Sequence, residues 1–448
     1  MLRVAVVGSG PSGVYTAQGL VQREPGVLVD VLDRLPCPYG LVRYGVAPDH
    51  EKIKSLQNNL RTVLEHERVR FLGGVPVGPG GLATARLREL YDAVVYCVGA
   101  ATDRHLGIPG EELPGSWSAT EFVSWYSAHP DSTADGFVLG ARSAVVIGVG
   151  NVAVDVARML ARGAAELSRT DIPQAALTAL AASGVTDIHM VGRRGPSQAR
   201  FTTKELRELG GLPDTDVTVD PAELALDPDC LNPSALPAAQ RRNVETLRDW
   251  AALPPSGSPH RIHLRFFLRP VELLADAGRV GAVRFERTAP DGRGGVQGTG
   301  QREDIEAQLV LRSVGYRGVP LDGLPFDAEL GIVPHRAGRV LREGLPVPGE
   351  YVAGWIKRGP TGVIGTNRPD AKETVTSLLE DAAMLVRKEA SEDPLAALRA
   401  EGIEPVEWAG WEAIERAEAE LGASLGRDGV VKLPGWEALL QAVRGSHT

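Results

Sequence analysis

The chain has 448 residues, of which 43% are hydrophobic and 23% are charged, and this globular composition excludes wholesale disorder. Its 57 acidic and 48 basic residues give a formal net charge of −9. Nucleic acid is therefore not expected as a partner, because phosphate neutralisation needs clustered cations. The length predicts two or three domains.

Three cysteines, Cys37, Cys97 and Cys230, are far apart in the sequence. This spacing excludes CxxC redox chemistry and metal sites built from closely spaced cysteines, so we expect no metal centre. The pattern favours a reducing, cytoplasmic setting. No apolar run has the roughly 20 residues of a membrane helix, and we expect neither a signal peptide nor contact with a membrane.

A glycine-rich turn follows the first predicted strand. Leu2–Val7 is an apolar, β-branched run that predicts a strand buried on both faces. Gly8, Gly10 and Gly13 follow in GxGxxG spacing, and residues 14–21 predict a helix. The first glycine permits a tight turn, the second lets the backbone approach a pyrophosphate, and the third lets the helix pack on the strand.

An acid ends the next predicted strand. Residues 28–32 predict this strand, and Asp33 follows them. Its carboxylate can accept hydrogen bonds from both ribose hydroxyls and would repel a 2′-phosphate. The first site is therefore expected to bind an unphosphorylated adenosine, as in FAD or NAD.

The same pattern recurs in the middle of the chain. Residues 143–147 predict a strand, Gly148 and Gly150 form the turn, Ala153 takes the position of the third glycine, and residues 154–160 predict a helix. Alanine is allowed at this third position. A second dinucleotide site is therefore predicted.

Two cations end the strand that follows this second turn. Residues 186–192 predict the strand, and Arg193 and Arg194 lie at its end, where a 2′-phosphate would bind. One charge-assisted hydrogen bond of about 1.5–3 kcal/mol would give a tenfold or larger preference for NADPH over NADH. The sequence thus predicts one site for FAD and one for NADP(H).

Residues 91–99 and 308–315 predict closing strands for the two units, and a strand at 350–355 leads into a glycine-rich turn. The predicted fold class is α/β, with two Rossmann-like dinucleotide-binding domains of the glutathione reductase-like type. The predicted boundaries are 1–102 for the first part of a discontinuous FAD domain, 103–322 for an inserted NADP domain, 323–390 for the second FAD part and 391–448 for a helical extension.

Four segments resemble the signatures of adrenodoxin reductase-type ferredoxin–NADP⁺ reductases, and most closely those of the actinobacterial flavoprotein branch. They are residues 33–50, 192–196, 201–208 and 354–366, and the similarity runs in order from residue 2 to about 385. The resemblance implies FAD, NADP(H) and one-electron exchange with a separate iron–sulfur ferredoxin, which would feed a P450 or an iron–sulfur pathway.

The resemblance also implies site residues. Those implied for FAD are Gly8, Gly10, Ser12, Gly13, Asp33, Leu41, Val77, Trp355, Gly362, Val363 and Ile364. Those implied for NADP(H) are Val149, Gly150, Asn151, Val152, Arg193, Arg194 and Glu205. A helix that begins near Thr366 is expected to direct its N–H groups at the flavin.

His50, Glu205 and Glu208 are the candidate catalytic residues. By resemblance, His50 lies close to the flavin and to an acid of the second domain, where a His–carboxylate pair could tune a proton. Hydride transfer itself needs no general base, so no obligatory proton step is assigned. The alternatives are a structural histidine beside Pro48 and a solvated helix face for the two glutamates.

A predicted helix at 240–250 carries Arg241, Arg242 and Arg248, which the resemblance places near the partner-binding surface. An acidic ferredoxin needs such a local basic patch on an acidic protein; the alternative is an ordinary solvated helix. Lys357 and Arg358 are expected to add positive charge near the flavin. We expect a monomer.

The segment after residue 390 predicts two amphipathic stretches, which Trp408, Trp411 and Trp436 would anchor on the FAD domain. A flavin oxidase or monooxygenase, and a flavin-binding partner without turnover, remain the alternative functions.

Overall fold

The structure is a computed structural model that describes residues 1–132, 137, 140–386 and 393–445. The chain forms two compact units. The first comprises Met1–Thr102, Ser127–Asp131 and Gly315–Thr448, and the second comprises Asp103–Tyr126 and Ser132–Val314. The predicted boundary at 390/391 lies outside the described residues. Within the described ranges, no helix has the length and apolarity needed to cross a bilayer.

The first hundred residues alternate strands and helices. The elements are β1 (Leu2–Val7), α1 (Pro11–Arg23), β2 (Val27–Leu32), α2 (Leu41–Tyr44), α3 (Glu51–Lys54), α4 (Leu56–Leu64), β3 (Val69–Leu72), α5 (Thr84–Leu90), β4 (Ala93–Tyr96) and β5 (Thr102–Asp103).

The middle of the chain repeats the alternation and then adds a long antiparallel meander. The elements are β6 (Ser116–Ser118), α6 (Ala119–Tyr126), β7 (Ser143–Ile147), α7 (Asn151–Ala161), α8 (Ala164–Leu167), α9 (Gln174–Ala181), β8 (Asp187–Val191), α10 (Thr203–Leu209), β9 (Thr215–Val219), α11 (Pro221–Ala225), α12 (Pro228–Leu231), α13 (Ala238–Ala251), β10 (His260–Arg265), β11 (Leu268–Asp276), β12 (Arg279–Pro290), β13 (Val296–Glu306) and β14 (Leu309–Arg312).

The last part of the chain returns to the first unit and ends in helices. The elements are β15 (Tyr316–Arg317), β16 (His335–Arg336), β17 (Arg339–Arg342), β18 (Leu345–Val352), α14 (Trp355–Arg358), α15 (Asn367–Asp381), α16 (Pro394–Ala400), α17 (Trp408–Ser424) and α18 (Gly435–Gly445).

The sheet of the first unit has the strand order β16-β17-β18-β4-β1-β2-β3, with parallel pairing from β18 to β3. Val4 and Val6 of β1 belong to one hydrophobic cluster, whereas Ala5 and Val7 belong to another. The strand is therefore buried on both faces, as its apolar run predicted.

The second unit contains a six-stranded parallel sheet, β6-β14-β7-β8-β10-β9, and an antiparallel sheet, β11-β12-β13. In both units the first strand of the motif lies between the closing strand and the second strand: β4-β1-β2 in one and β14-β7-β8 in the other. Both glycine turns therefore leave a central strand at its carboxyl end, where ligands bind in open α/β sheets.

The C-terminal segment packs into the core of the first unit. Trp411, Ile414 and Leu439 are fully buried in the same cluster as β1, and Trp408 and Trp436 pack against that cluster. The prediction of two helical stretches was wrong in number, because α16 forms a third, short helix that begins at Pro394. Proline is suited to the first helical position because its missing N–H has no intrahelical partner there.

Candidate functional site

The first glycine turn connects β1 to α1. Gly8 has φ +110°, and a Cβ there would collide with the carbonyl oxygen of Cys97, while a Cβ at Gly13 would collide with the carbonyl oxygen of Gly8. Next to Gly10, a Cβ would meet just one atom of the described residues within 4 Å, apart from those of its chain neighbours: the Cα of Gly40, at 3.9 Å. Packing thus requires the first and third glycines, and the space beside the second fits the close approach of a pyrophosphate to the backbone.

Asp33, directly after β2, bonds back to this turn. Its Oδ2 accepts from the Ser9 amide at 2.8 Å and the Ser9 hydroxyl at 2.5 Å, and its Oδ1 accepts from the Leu35 amide at 2.9 Å. Burial raises the pKa of the Asp33 carboxyl, and the hydrogen bonds from Ser9 and Leu35 oppose that rise. A carboxylate offers about four lone-pair sites, so capacity for a ribose hydroxyl remains.

A second glycine-rich segment of the first unit lies against α1. Gly354 has φ +80°, and a Cβ there would collide with the hydroxyl of Ser12, which is itself buried. Trp355 begins α14, and its ring centroid lies 5.3 Å from that of Tyr316. Ser12 and Trp355 therefore both lie next to Gly354, although they are more than 300 residues apart in the sequence.

The remaining residues implied for FAD are at least partly exposed to solvent. Leu41 is 40% exposed and Val363 is 59% exposed, which is unusual for large apolar side chains, while Val77 and Ile364 are partly buried. Gly362 has φ +84° and is exposed. α15 begins at Asn367, immediately after this segment, which confirms the predicted helix near Thr366.

The second glycine turn repeats the first in the second unit. Gly148 has φ +143°, and a Cβ there would collide with the carbonyl oxygen of Ser313, the residue after β14. A Cβ at Gly150 would meet no atom within 4 Å in the part of the chain that the structure describes, its chain neighbours left aside. Gly150 precedes α7, which begins at Asn151 and Val152. The Ala153 side chain is fully buried. The space beside Gly150 therefore fits a pyrophosphate in the same way as the space beside Gly10.

Arg193 and Arg194 follow β8, as predicted. Their backbone is held by the Thr288 hydroxyl, which donates to the Arg193 carbonyl at 2.8 Å, and by the Phe267 amide, which donates to the Arg194 carbonyl at 3.2 Å. Among the carboxylates of the described residues, none forms an ion pair with either guanidinium. Two cations without a counter-charge at this strand end fit the recognition of a dianion.

Glu205 and Glu208 meet a buried arginine that the sequence reasoning missed. Arg158 of α7 is 1% exposed, and its Nη1 lies 2.6 Å from Glu208 and 3.6 Å from Glu205, while its Nη2 lies 2.8 Å from Asp155. Glu205 is itself buried, so the alternative of a solvated helix face is wrong for this residue. The i,i+3 spacing of Asp155 and Arg158 was the one local signal for this cluster.

His50 is buried in the first unit, where it precedes α3 and donates its amide to the Ala47 carbonyl at 3.1 Å. Glu205 and Glu208 belong to the second unit. The pairing of His50 with one of these acids stays a prediction.

The three arginines of the expected docking surface lie on α13. Arg242 and Arg248 are exposed and Arg241 is partly exposed, but Glu245 and Asp249 are exposed on the same helix. Three cations and two acids give α13 a net charge of +1. It is therefore only weakly basic.

The expectation for Lys357 was wrong. Its side chain is 3% exposed, and its Nζ lies 3.0 Å from Asp370 and 2.6 Å from Glu373. A buried, paired ammonium adds no net charge to the surface. Lys357 instead joins α14 to α15, and the Asp370 carboxylate also accepts the Gly354 amide at 2.5 Å.

Two Rossmann-like units, each with an open glycine turn, define this chain as a dinucleotide-binding oxidoreductase of the two-domain type. Residues 2–197 match the family model described as pyridine nucleotide-disulphide oxidoreductase.

Comparisons over the whole chain define the family more narrowly. The chain is 45% identical to the NADPH-ferredoxin reductase FprA of Mycobacterium leprae, over 99% of this chain and 98% of that protein. It is 41% identical to the mitochondrial NADPH:adrenodoxin oxidoreductase of Arabidopsis thaliana, over 98% of this chain and 95% of that protein. The solved structure of Mycobacterium tuberculosis FprA in complex with NADPH is similar with a TM-score of 0.92 and 42% identity, over all of both chains. The chain belongs to the family of NADPH-ferredoxin and NADPH:adrenodoxin reductases, which confirms the resemblance of its sequence segments.

Proposed function

We propose that the protein is an NADPH–ferredoxin oxidoreductase that holds FAD in its first unit and NADP(H) in its second. The observation that carries this proposal is the opposite charge at two equivalent strand ends. Asp33 follows β2, and Arg193 and Arg194 follow β8. A 2′-phosphate would be repelled at the first end and attracted at the second. This contrast supports the proposal of one cofactor in each unit.

Bound together, the two cofactors supply hydride transfer and the division of an electron pair into single-electron steps. The chain binds and orients them. Gly10 and Gly150 leave space for pyrophosphates at the N-termini of α1 and α7, whose unpaired N–H groups favour anions. α15 begins at Asn367, three residues after Ile364, and the positive end of its dipole would stabilise negative charge on the flavin edge.

A positioning role is proposed for the acidic cluster of the second unit. The buried guanidinium of Arg158 holds Glu208 at 2.6 Å and Glu205 at 3.6 Å. Its guanidinium fixes where these two carboxylates point. These acids would then orient the nicotinamide end of NADP(H), and no proton transfer is assigned to them. His50 stays a separate candidate residue of the first unit.

The iron–sulfur centre is proposed to lie on a separate ferredoxin. Cys37, Cys97 and Cys230 are free and buried at three separate positions in the described part of the chain, whereas clusters need grouped thiolates. The relatives named above are reductases of ferredoxin or adrenodoxin by their names. Docking on Arg241, Arg242 and Arg248, a monomeric state and a cytoplasmic location are parts of the same proposal.

An anaerobic titration with NADPH and with NADH tests the assignment. NADPH is expected to bleach the flavin absorbance at stoichiometric addition, whereas NADH at the same subsaturating concentration should bleach it at least tenfold more slowly. Equal response to both would contradict the phosphate assignment. No bleaching by either would favour a flavin-binding role without turnover.

A further inference from the structure

A third arginine, Arg200, lies beside the second glycine turn. Its amide donates to the carbonyl of Val149 at 2.9 Å, and two residues later the Thr202 amide donates to Asn151 Oδ1 at 2.8 Å. Between these two bonds, the carbonyl of Phe201 accepts from the buried Asn243 side chain at 3.0 Å. Hydrogen bonds thus hold the backbone around Arg200 to the glycine turn on one side and to α13 on the other.

The strand end that carries Arg193 and Arg194 packs against the same turn. A Cβ at Gly192 would lie 3.0 Å from the side chain of Val149, the residue whose carbonyl accepts from Arg200. The loop after β8 and the segment at Arg200 therefore meet at Val149, between the first two positions of the glycine motif.

The three guanidiniums form an uncompensated group of charges. Arg200 is exposed, and no carboxylate of residues 1–132, 137, 140–386 or 393–445 pairs with it, with Arg193 or with Arg194. The pKa of the Arg194 guanidinium is lowered by burial first, then by repulsion from Arg200 and from Arg193.

We propose that Arg200 is a specificity-determining residue that binds the adenosine 2′-phosphate of NADP(H) together with Arg193 and Arg194. Three clustered cations repel one another until an anion neutralises them, and a phosphate dianion offers three oxygens to charge-assisted donors. This inference rests on the proposed NADP(H) site of the second unit. It adds a residue that lies outside the strand end where the motif places the discriminating charge.

Calorimetric binding of NADP⁺ and NAD⁺ to the FAD-loaded protein tests the proposal without relying on turnover. Arg200→Ala is expected to weaken NADP⁺ about tenfold and NAD⁺ less than twofold, and Arg200→Gln should behave alike because both remove the charge. Thermal stabilisation by inorganic phosphate should also be smaller in both variants than in the wild type, because a ligand that binds more weakly stabilises the folded protein less. Arg169→Ala, which removes another exposed cation of the second unit, is the matched control and should change neither affinity.

The outcomes separate the inference from the function on which it rests. Equal weakening of NADP⁺ and NAD⁺ would place Arg200 on the pyrophosphate and overturn the proposal. Unchanged NADP⁺ affinity in both Arg200 variants would also overturn the role of Arg200. The 2′-phosphate site itself would still be supported if the double variant Arg193→Ala with Arg194→Ala bound NADP⁺ more weakly and NAD⁺ as the wild type does. If that double variant also bound both cofactors as the wild type does, the NADP(H) assignment itself would fail.

Discussion

The Glu418→Gln substitution is expected to destabilise the first unit by about 3–5 kcal/mol, the cost of removing one partner from a buried ion pair. Glu418 of α17 meets Arg43 of α2 through two hydrogen bonds, 2.6 Å and 3.1 Å long. The two side chains are 3% and 5% exposed. Glutamine keeps the volume and one acceptor but leaves the guanidinium buried without a counter-charge.

The surroundings of the pair set the size of the effect. Glu418 Oε1 also accepts the Leu433 amide at 3.0 Å, and Lys432 Nζ donates to the Arg43 carbonyl at 2.5 Å. The Arg43 guanidinium lies 4.9 Å from the ring centroid of Trp411. Since domains are stable by only about 5–15 kcal/mol, the loss would remove a large part of the stability of the unit.

Differential scanning calorimetry measures the effect, because two units need not unfold in one transition. Glu420→Gln is the matched control: Glu420 is exposed on the same helix, and its loss should change stability by at most about 0.5 kcal/mol. Arg43→Met combined with Glu418→Met should recover much of the loss, because apolar residues can replace a buried ion pair. A Glu418→Gln variant as stable as the Glu420→Gln control would show that the buried pair of Arg43 and Glu418 does not stabilise the first unit.

Three further predictions concern the sites and the pH dependence of stability. Arg193→Ala with Arg194→Ala should raise the KM for NADPH at least tenfold and leave that for NADH nearly unchanged; equal effects in steady-state kinetics would contradict the phosphate assignment. Arg241→Ala with Arg242→Ala should slow ferredoxin reduction at low salt and spare artificial acceptors, and slowing of both acceptors alike would count against docking there. Burial, then His263 and Arg265, lowers the pKa of His189 to about 4. The unfolded chain therefore binds the extra proton between about pH 4 and the ordinary value near 6.5, and stability falls with falling pH in this window by at most about 1.4 kcal/mol per unit. His189→Gln should flatten that slope in denaturant titrations, and an unchanged slope would exclude His189 as its source.

The glycine turns and their charged strand ends could be predicted because neighbours in sequence determine them. The strands predicted at 28–32 and 186–192 are Val27–Leu32 and Asp187–Val191 in the structure. A β-branched run, a glycine at a positive φ and a helix that follows at once leave few alternatives to a βα turn.

Charge pairing between distant segments could not be predicted in this way. Arg43 and Glu418 are 375 residues apart, and Arg158 meets Glu208 across 50 residues. Lys357 sits in a motif where its charge suggests an exposed surface, yet the packing of α14 on α15 buries it. Whether a charge is solvated or paired depends on which faces pack together, and the local pattern does not carry that information.

The short helix α16 was missed for a related reason. It has seven residues, and helices of that length gain little from propensity and form through tertiary contacts. Ala397 and Leu398 supply those contacts in the core of the first unit.

The most direct test of the proposed function is the anaerobic reduction of each ferredoxin of the same organism by NADPH, with and without the protein. We expect protein-dependent reduction of at least one ferredoxin, with two one-electron equivalents delivered per NADPH consumed and a marked preference for NADPH over NADH. NADPH consumption in air at comparable speed without any ferredoxin would contradict it and favour a flavin oxidase. Failure of every ferredoxin to accept electrons from the NADPH-reduced protein would contradict it as well.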